Sequence, residues 1–288
     1  MSRIAITGYA SLDHVIVLDG DVVPGRTTTI LKRFAGAWPR LGGGPAYVAL
    51  AIHAAGAGAP TPVSWVGADE LGGNYVRQLG KAGISGAGIA AVADARTPIS
   101  VLAYDQAGDC ACLYDPGLPS GIGLTEAQRE LVGSSDWVCV TIGPRPVTDE
   151  ILALLRDGQK LAWIVKNDPR AITPEQSAAL FERADVVFCN GRERAFLEEA
   201  RAAGRTPRAG QILIETQGRR GALFLRGEES RSVAAEPVDV ADPTGAGDTF
   251  AGGVLAAIMK GETDLEAIGR AGTAAARALL IDRKSEES

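Results

Sequence analysis

Short apolar runs alternate with amphipathic helical stretches along this chain, and that rhythm constrains its fold more than any other feature. In the second half, "DWVCVT", "LAWIV", "DVVFC" and "QILIET" read as strands, with "VTDEILALLRDG", "TPEQSAALFERA" and "GRERAFLEEARAAG" between them as helices. The first half opens the same way, with strands at "RIAIT" and "PVSWVG" and helices at "PAYVALAIHAAG" and "LGGNYVRQLGKAG". Adjacent parallel strands need crossovers of this length, so the pattern predicts an α/β protein with a mostly parallel central sheet covered by helices on both faces. Two segments break the rhythm. His14 to Gly36 and Thr97 to Asp115 each read as a β-hairpin, turning at "VPGR" and "QAGD", and neither carries a helix. Together they predict one small antiparallel sheet, a discontinuous lid (14–36 and 97–115) within a single domain spanning 1–288.

Composition narrows the function. With 288 residues, 46% apolar and 22% charged, the chain can bury a large core. The formal net charge of -6 and the lack of a long basic run argue against a nucleic-acid partner. No apolar run approaches the roughly 18 residues of a membrane span. "PAYVALAIHAAGAGAP" is interrupted by His53, and the apolar stretch of "MSRIAITGYASLD" is too short for a signal peptide, so no membrane partner and a cytoplasmic protein are expected. Cys110, Cys112, Cys139 and Cys189 form no C-x-x-C pair, and only His14 and His53 could assist them in holding a metal. They read as reduced thiols buried in strands, and His53 as a core side chain.

Chemistry concentrates in "DPTGAGDTFAGG", Asp242 to Gly253. Gly245, Ala246 and Gly247 lack bulk, and a helix starting near Ala246 would present unpaired N–H groups and its positive end to an anion. A tight strand-to-helix turn with Asp248 as an ordinary first-turn acid is the alternative. A dinucleotide fingerprint fails, because Phe250 holds the place of the third glycine, and a P-loop fails because no Lys follows Gly247.

"DPTGAGDTFAGG" resembles the carboxy-terminal signature of the PfkB, or ribokinase-like, carbohydrate kinase family, and "LGGGPAYVALAIHAAGA" resembles its amino-terminal glycine-rich signature. The resemblance extends over essentially the whole chain and implies the three-layer ribokinase-like fold with its β lid. It implies an ATP-dependent kinase that phosphorylates a hydroxymethyl group of a small sugar or nucleoside with Mg2+. Asp248 matches the base that takes the proton from the attacking hydroxyl, and Gly245, Ala246 and Gly247 match the anion hole for the migrating phosphoryl group. Asn190 and Glu193, in "CNGRERAF", match an N-x-x-E pattern that helps hold magnesium and phosphate, largely through water; a helix cap with a capping-box acid fits the same spacing. Thr216, Gly218 and Gly221 match the nucleotide-binding T-x-G-x-x-G segment, which by itself is a turn between two strands. Asp242 and Thr244 lie where some relatives bind a monovalent cation, so the resemblance admits K+, and it admits a homodimer formed through the lid.

On the acceptor side, Asp13 matches an aspartate that grips substrate hydroxyls, and Gly42 and Gly43 match paired glycines that let the substrate near the backbone. Read without the family, Asp13 is a turn residue after the first strand. Three departures stand out. Tyr47 replaces a frequent Asn, which predicts an acceptor-pocket residue that selects against compact sugars, unless its ring points into the core. "VKNDPR" carries Lys166 and Asp168 in place of an acid-x-Asn arrangement, so no role is assigned there, and Asp109 stands where relatives often carry Arg. A non-catalytic ligand-binding protein on the same fold is the rival reading. The intact "GAGD" argues against it, since a binding module has no need of a base at an anion hole.

Overall fold

The computed structural model describes residues 2–106, 108–166, 168–202 and 205–286; Ala107 of "QAGD" and Asn167 of "VKNDPR" lie outside the described residues. Its first strand, β1 (Arg3–Thr7), sends Ile4 and Ile6 into one core and Ala5 into another. This two-residue alternation is repeated across the sheet and produces two apolar layers, one on each face. Along the chain follow β2 (Ser11–Leu18), β3 (Ile30–Arg33), β4 (Arg40–Gly42), α1 (Gly44–Ala54), β5 (Ala59–Gly67), α2 (Glu70–Lys81), β6 (Ile89–Val92), β7 (Ile99–Tyr104) and β8 (Cys110–Asp115). The second half contains α3 (Glu126–Ser134), β9 (Trp137–Val140), α4 (Arg145–Leu154), β10 (Lys160–Ile164), α5 (Pro174–Arg183), β11 (Val186–Asn190), α6 (Gly191–Ala202), β12 (Ile212–Thr216), β13 (Ala222–Arg226), β14 (Glu229–Val233), α7 (Ala246–Met259) and α8 (Leu265–Glu286).

The large sheet has nine strands in the order β14-β13-β12-β11-β10-β9-β1-β5-β6. Pairing is parallel from β12 to β6, and the β12-β13-β14 edge is antiparallel. The chain winds outward from β1 in both directions, so the β1/β9 junction is the switch point where open α/β sheets leave a crevice at their carboxyl ends. Every strand and helix expected in the second half is present.

The lid sheet runs β3-β2-β7-β8, with β4 also paired to β2. Both expected hairpins are antiparallel, whereas the central pair, β2 with β7, is parallel. The sheet also extends beyond the expected bounds: β2 begins at Ser11, and β4 adds Arg40–Gly42. Asp13 therefore lies within a strand and not in a turn.

Helix α7 positions the chemistry. Its residues from Thr249 to Ala256 are buried, and burial of Phe250, Val254 and Leu255 contributes about 1.5–3 kcal/mol each. Gly252 lies against Val48 and Gly253 against Ala271, so α1 and α8 approach α7 almost backbone to backbone. The amino end of α7 is thereby fixed from two sides.

Two expectations fail. His53 is exposed on the far face of α1, and Cys110 and Cys112 are exposed while Cys139 and Cys189 are buried. Strand β8 is the edge of the lid, and a sheet edge with one uncovered face cannot bury every side chain.

Candidate active site

Helix α7, like α1 and α4, starts without a side-chain cap. Helices α2, α3 and α5 are capped by the side chains of Asp69, Thr125 and Thr173, which accept from the N–H groups of Gly72, Gln128 and Gln176. Helix α7 begins after Gly245, which offers no side-chain cap and adopts a left-handed conformation with φ 83°. Of the expected anion-hole residues, Ala246 already donates its N–H to the Pro243 carbonyl at 3.1 Å, whereas Gly247 and Asp248 have no backbone acceptor among the described residues. The open donors of this helix end are thus those of Gly247 and Asp248, aligned with the positive end of the helix.

The Asp248 side chain stands in the first turn of α7, and its Oδ1 is buried without a hydrogen-bond partner. Lys166, just past the carboxyl end of β10, lies in its field. The Asp248 carboxylate holds the Lys166 ammonium above its ordinary value, against the opposing effect of burial and with help from Glu193. Burial pushes the Glu193 carboxyl up, and the Lys166 charge counteracts it. Sequence reasoning assigned Lys166 no role. Its signal was position: it follows the end of a central parallel strand, where α/β ligands bind.

Asn190 and Glu193 form the capping box. Asn190 Oδ1 accepts from the N–H of Glu193 at 3.0 Å and of Arg192 at 2.9 Å, and Glu193 Oε2 accepts from the Asn190 N–H at 3.0 Å. Asn190 also lines, with Thr216, Gly218, Gly221, Ala246 and Gly247, a single cavity of about 870 Å³. The structure therefore brings the expected nucleotide segment and the anion hole to one space. Gly221, at φ 107°, is required for packing, because a β-carbon there would collide with the Val233 carbonyl. The turn at Asp105, Gln106 and Gly108 reaches this cavity from the lid. Asp109 closes that turn, donating its N–H to Asp105 Oδ1 at 2.9 Å.

On the lid side, Asp13 is 3% exposed, its carboxylate lies directly over Gly42, and it accepts from Ser11 Oγ at 2.8 Å. Burial raises its carboxyl above the ordinary range, with Ser11 and Arg40 pulling the other way. Gly43, at φ 87°, brings its backbone against the Tyr9 carbonyl. The field of Asp13 reaches Cys110, Cys112 and Tyr114, alternate residues on one face of β8. Tyr114 pairs with Tyr9, ring centroids 6.1 Å apart. Tyr9 also feels Asp168, which raises its hydroxyl in addition to burial. The Tyr104 hydroxyl lies 2.6 Å from Thr244 Oγ1 and joins lid strand β7 to the loop before α7. No sequence motif pointed to these tyrosines.

Tyr47 is 4% exposed and packs beneath Gly245, and its hydroxyl is buried without a partner. Asp242 does not present a free carboxylate. One oxygen accepts from the Thr244 N–H at 3.0 Å, and the other is ion-paired with the buried guanidinium of Arg40.

Among the described residues no three His, Cys, Asp or Glu side chains converge as a metal cage. Glu193 and the unpartnered Oδ1 of Asp248 are oxygen donors beside the open helix end. A small hard cation that keeps several waters and takes further ligands from phosphates suits so sparse a set. A monovalent cation at Asp242 would have to share a carboxylate that already holds the Thr244 N–H and the Arg40 guanidinium.

The chain matches the pfkB family carbohydrate kinase over residues 1–285. It is 28% identical over 261 residues to an ATP-dependent ribose-1-phosphate kinase of Halopiger xanaduensis, covering 89% of this chain and 84% of that protein. A nucleoside kinase of Methanothermobacter thermautotrophicus is 26% identical over 286 residues, 97% of this chain and 89% of its own. Among solved structures, an uncharacterized sugar kinase from Pyrococcus horikoshii in complex with ATP superposes with a TM-score of 0.77 at 20% identity, over 99% of this chain and 92% of that one. Fold, glycine-led helix end and family match agree, and the chain belongs to the pfkB family of carbohydrate kinases.

Proposed function

We propose that this protein transfers the terminal phosphoryl group of ATP to a hydroxymethyl group of a small sugar or sugar-like acceptor. One observation carries the reading. The amino end of α7 lacks a side-chain cap, keeps the Gly247 and Asp248 N–H groups open beside a large cavity, and holds a buried, unpartnered carboxylate oxygen in its first turn. An unpaired acceptor next to unpaired donors suits a reaction that removes a proton where negative charge must be held.

The roles follow. Asn190, Thr216, Gly218 and Gly221 line the nucleotide space. The Gly247 and Asp248 N–H groups hold the migrating phosphoryl group, and Asp248 takes the acceptor's hydroxyl proton. Lys166 faces the same charge, its ammonium held by the Asp248 carboxylate. Asp13 accepts from acceptor hydroxyls, and the backbone at Gly42 and Gly43 allows the close approach. Glu193 and Asp248 would hold Mg2+ through water, and the ion would supply charge neutralisation on the phosphates.

A nucleoside is the second reading, favoured by the Tyr9–Tyr114 pair on the lid side, which offers apolar ring faces to a base. A thermal-shift panel of sugars and nucleosides with a non-hydrolysable ATP analogue, followed by ATP-consumption assays on the hits, separates these readings from each other and from a binding protein. Binding without turnover would reject the kinase reading.

A further inference from the structure

We propose that Arg40 is a built-in cation that replaces a bound monovalent ion at Asp242, so that the loop before α7 is ordered, and the enzyme works, without potassium. The inference rests on the reading of the α7 amino end as the phosphoryl cradle.

Arg40 and Asp242 come from distant parts of the chain, β4 of the lid sheet and the loop leading into α7. Their guanidinium and carboxylate meet as a buried ion pair, with side-chain exposures of 8% and 3%. Arg283, near the end of α8, lies 4.0 Å from the same Asp242 oxygen. Glu286 completes the group, 3.8 Å from Arg40 and 3.7 Å from Arg283. Two guanidiniums thus face the carboxylates of Asp242 and Glu286, and the third carboxylate, Asp13, is held toward its neutral form by burial.

A weakly hydrated monovalent ion is held by several oxygens that replace its water shell. Here one Asp242 oxygen accepts the Thr244 N–H at 3.0 Å and the other faces Arg40. Adding a cation would place it against two guanidiniums that already neutralise the Asp242 carboxylate. Like charges at such separations in a buried site repel strongly. The guanidinium performs the ion's structural task instead: it neutralises Asp242, whose Thr244 contact shapes the turn that delivers Gly245 to the start of α7. It also ties that turn to β4, where Arg40 is register partner of Asp13 across β2, so the fixed charge joins the two halves of the site.

The test compares potassium chloride, sodium chloride and choline chloride at equal ionic strength, with melting temperature as the first measurement and turnover of an accepted substrate as the second. Wild-type protein should show the same melting temperature and a rate within about twofold in all three salts. Arg40→Met leaves Asp242 buried with only Arg283 nearby and should melt lower in choline, with potassium restoring part of the loss; Arg40→Lys should stay insensitive to the choice of salt. If Arg40→Met does not fold in any salt, the double variant Arg40→Met/Asp242→Asn, which removes both charges, should fold and ignore potassium. Several-fold potassium activation of the wild type, or a rise in its melting temperature specific to potassium, overturns the proposal. So does an Arg40→Met protein that folds equally well in every salt. Lack of turnover with any acceptor would count against the kinase reading alone, because the melting measurements do not depend on it.

Discussion

Gly245 lies flat on the ring of Tyr47: a β-carbon added to Gly245 would sit 2.5 Å from Cζ of that ring. The left-handed residue that opens α7 is therefore stacked on the first turn of α1, and the aromatic ring serves as the floor of the helix end. Gly245→Ala meets both the ring and an unfavourable φ of 83°. It should cost about 1–3 kcal/mol from overpacking, read in denaturant melts, and should lower kcat by displacing the open N–H groups. Tyr47→Phe removes a buried hydroxyl that has no partner and should be neutral or slightly stabilising. Tyr47→Asn empties the floor. A changed ratio of kcat/KM for a nucleoside over a sugar in Tyr47→Asn would give the ring a part in acceptor choice, and a lowered melting temperature with an unchanged ratio would leave it a packing role.

Asp248→Asn keeps the shape of the first turn while removing the base. Turnover should fall by roughly 10²-fold or more with nucleotide affinity and melting temperature nearly preserved. Wild-type activity should likewise vanish in excess chelator and return with magnesium. Near-normal turnover in the folded variant contradicts the assignment.

Lys166→Met removes the ammonium that faces Asp248 and Glu193. A drop of roughly tenfold to 10³-fold in kcat is expected, with a smaller change in KM. The Lys166 value is raised above its ordinary 10.5, so its contribution to stability is fully present below 10.5 and is lost as pH rises through the higher folded value. The gap in melting temperature between wild type and Lys166→Met should accordingly stay constant through neutral pH and close only in strong alkali. A gap that changes around neutrality points to another group.

Asp13→Asn tests the opposite exchange. The folded-state carboxyl is raised above 3.8, so its favourable contribution is present below 3.8 and is lost as pH rises through the folded value. A side chain that cannot ionise escapes that loss. Asp13→Asn should therefore melt above wild type at neutral pH and close to it in acid, while KM for the acceptor rises. A neutral-pH melting temperature below wild type would mean that the ionised form is the stabilised one.

How far the sequence could be read depended on whether information was local. The parallel strands, their helices and both hairpins carry their periodicity within a few residues, and α7 begins at Ala246 as its glycines implied. Strands β6 and β14 are short, the first mostly half-buried and the second mostly exposed, so no apolar alternation marks them. Asp248 and the capping pair Asn190 and Glu193 sit in recognisable motifs. Arg40, Lys166 and Tyr104 do not, because each acts on a residue far along the chain, and a single arginine before a glycine run looks like any surface cation. Tyr47 stood out as a departure, but that its ring would lie under Gly245 depends on the packing of α1 against α7, which no spacing encodes.

Asp13 rides on β2, a strand of the lid sheet, while Asp248 stands on a helix clamped to the large sheet. The parallel pairing of β2 with β7 makes the lid one continuous plate, entered twice from the main body. The proposed acceptor grip and the proposed base therefore belong to opposite jaws. Arg40, register partner of Asp13, is ion-paired with Asp242 of the loop before α7, so a displacement of either jaw is transmitted to the other.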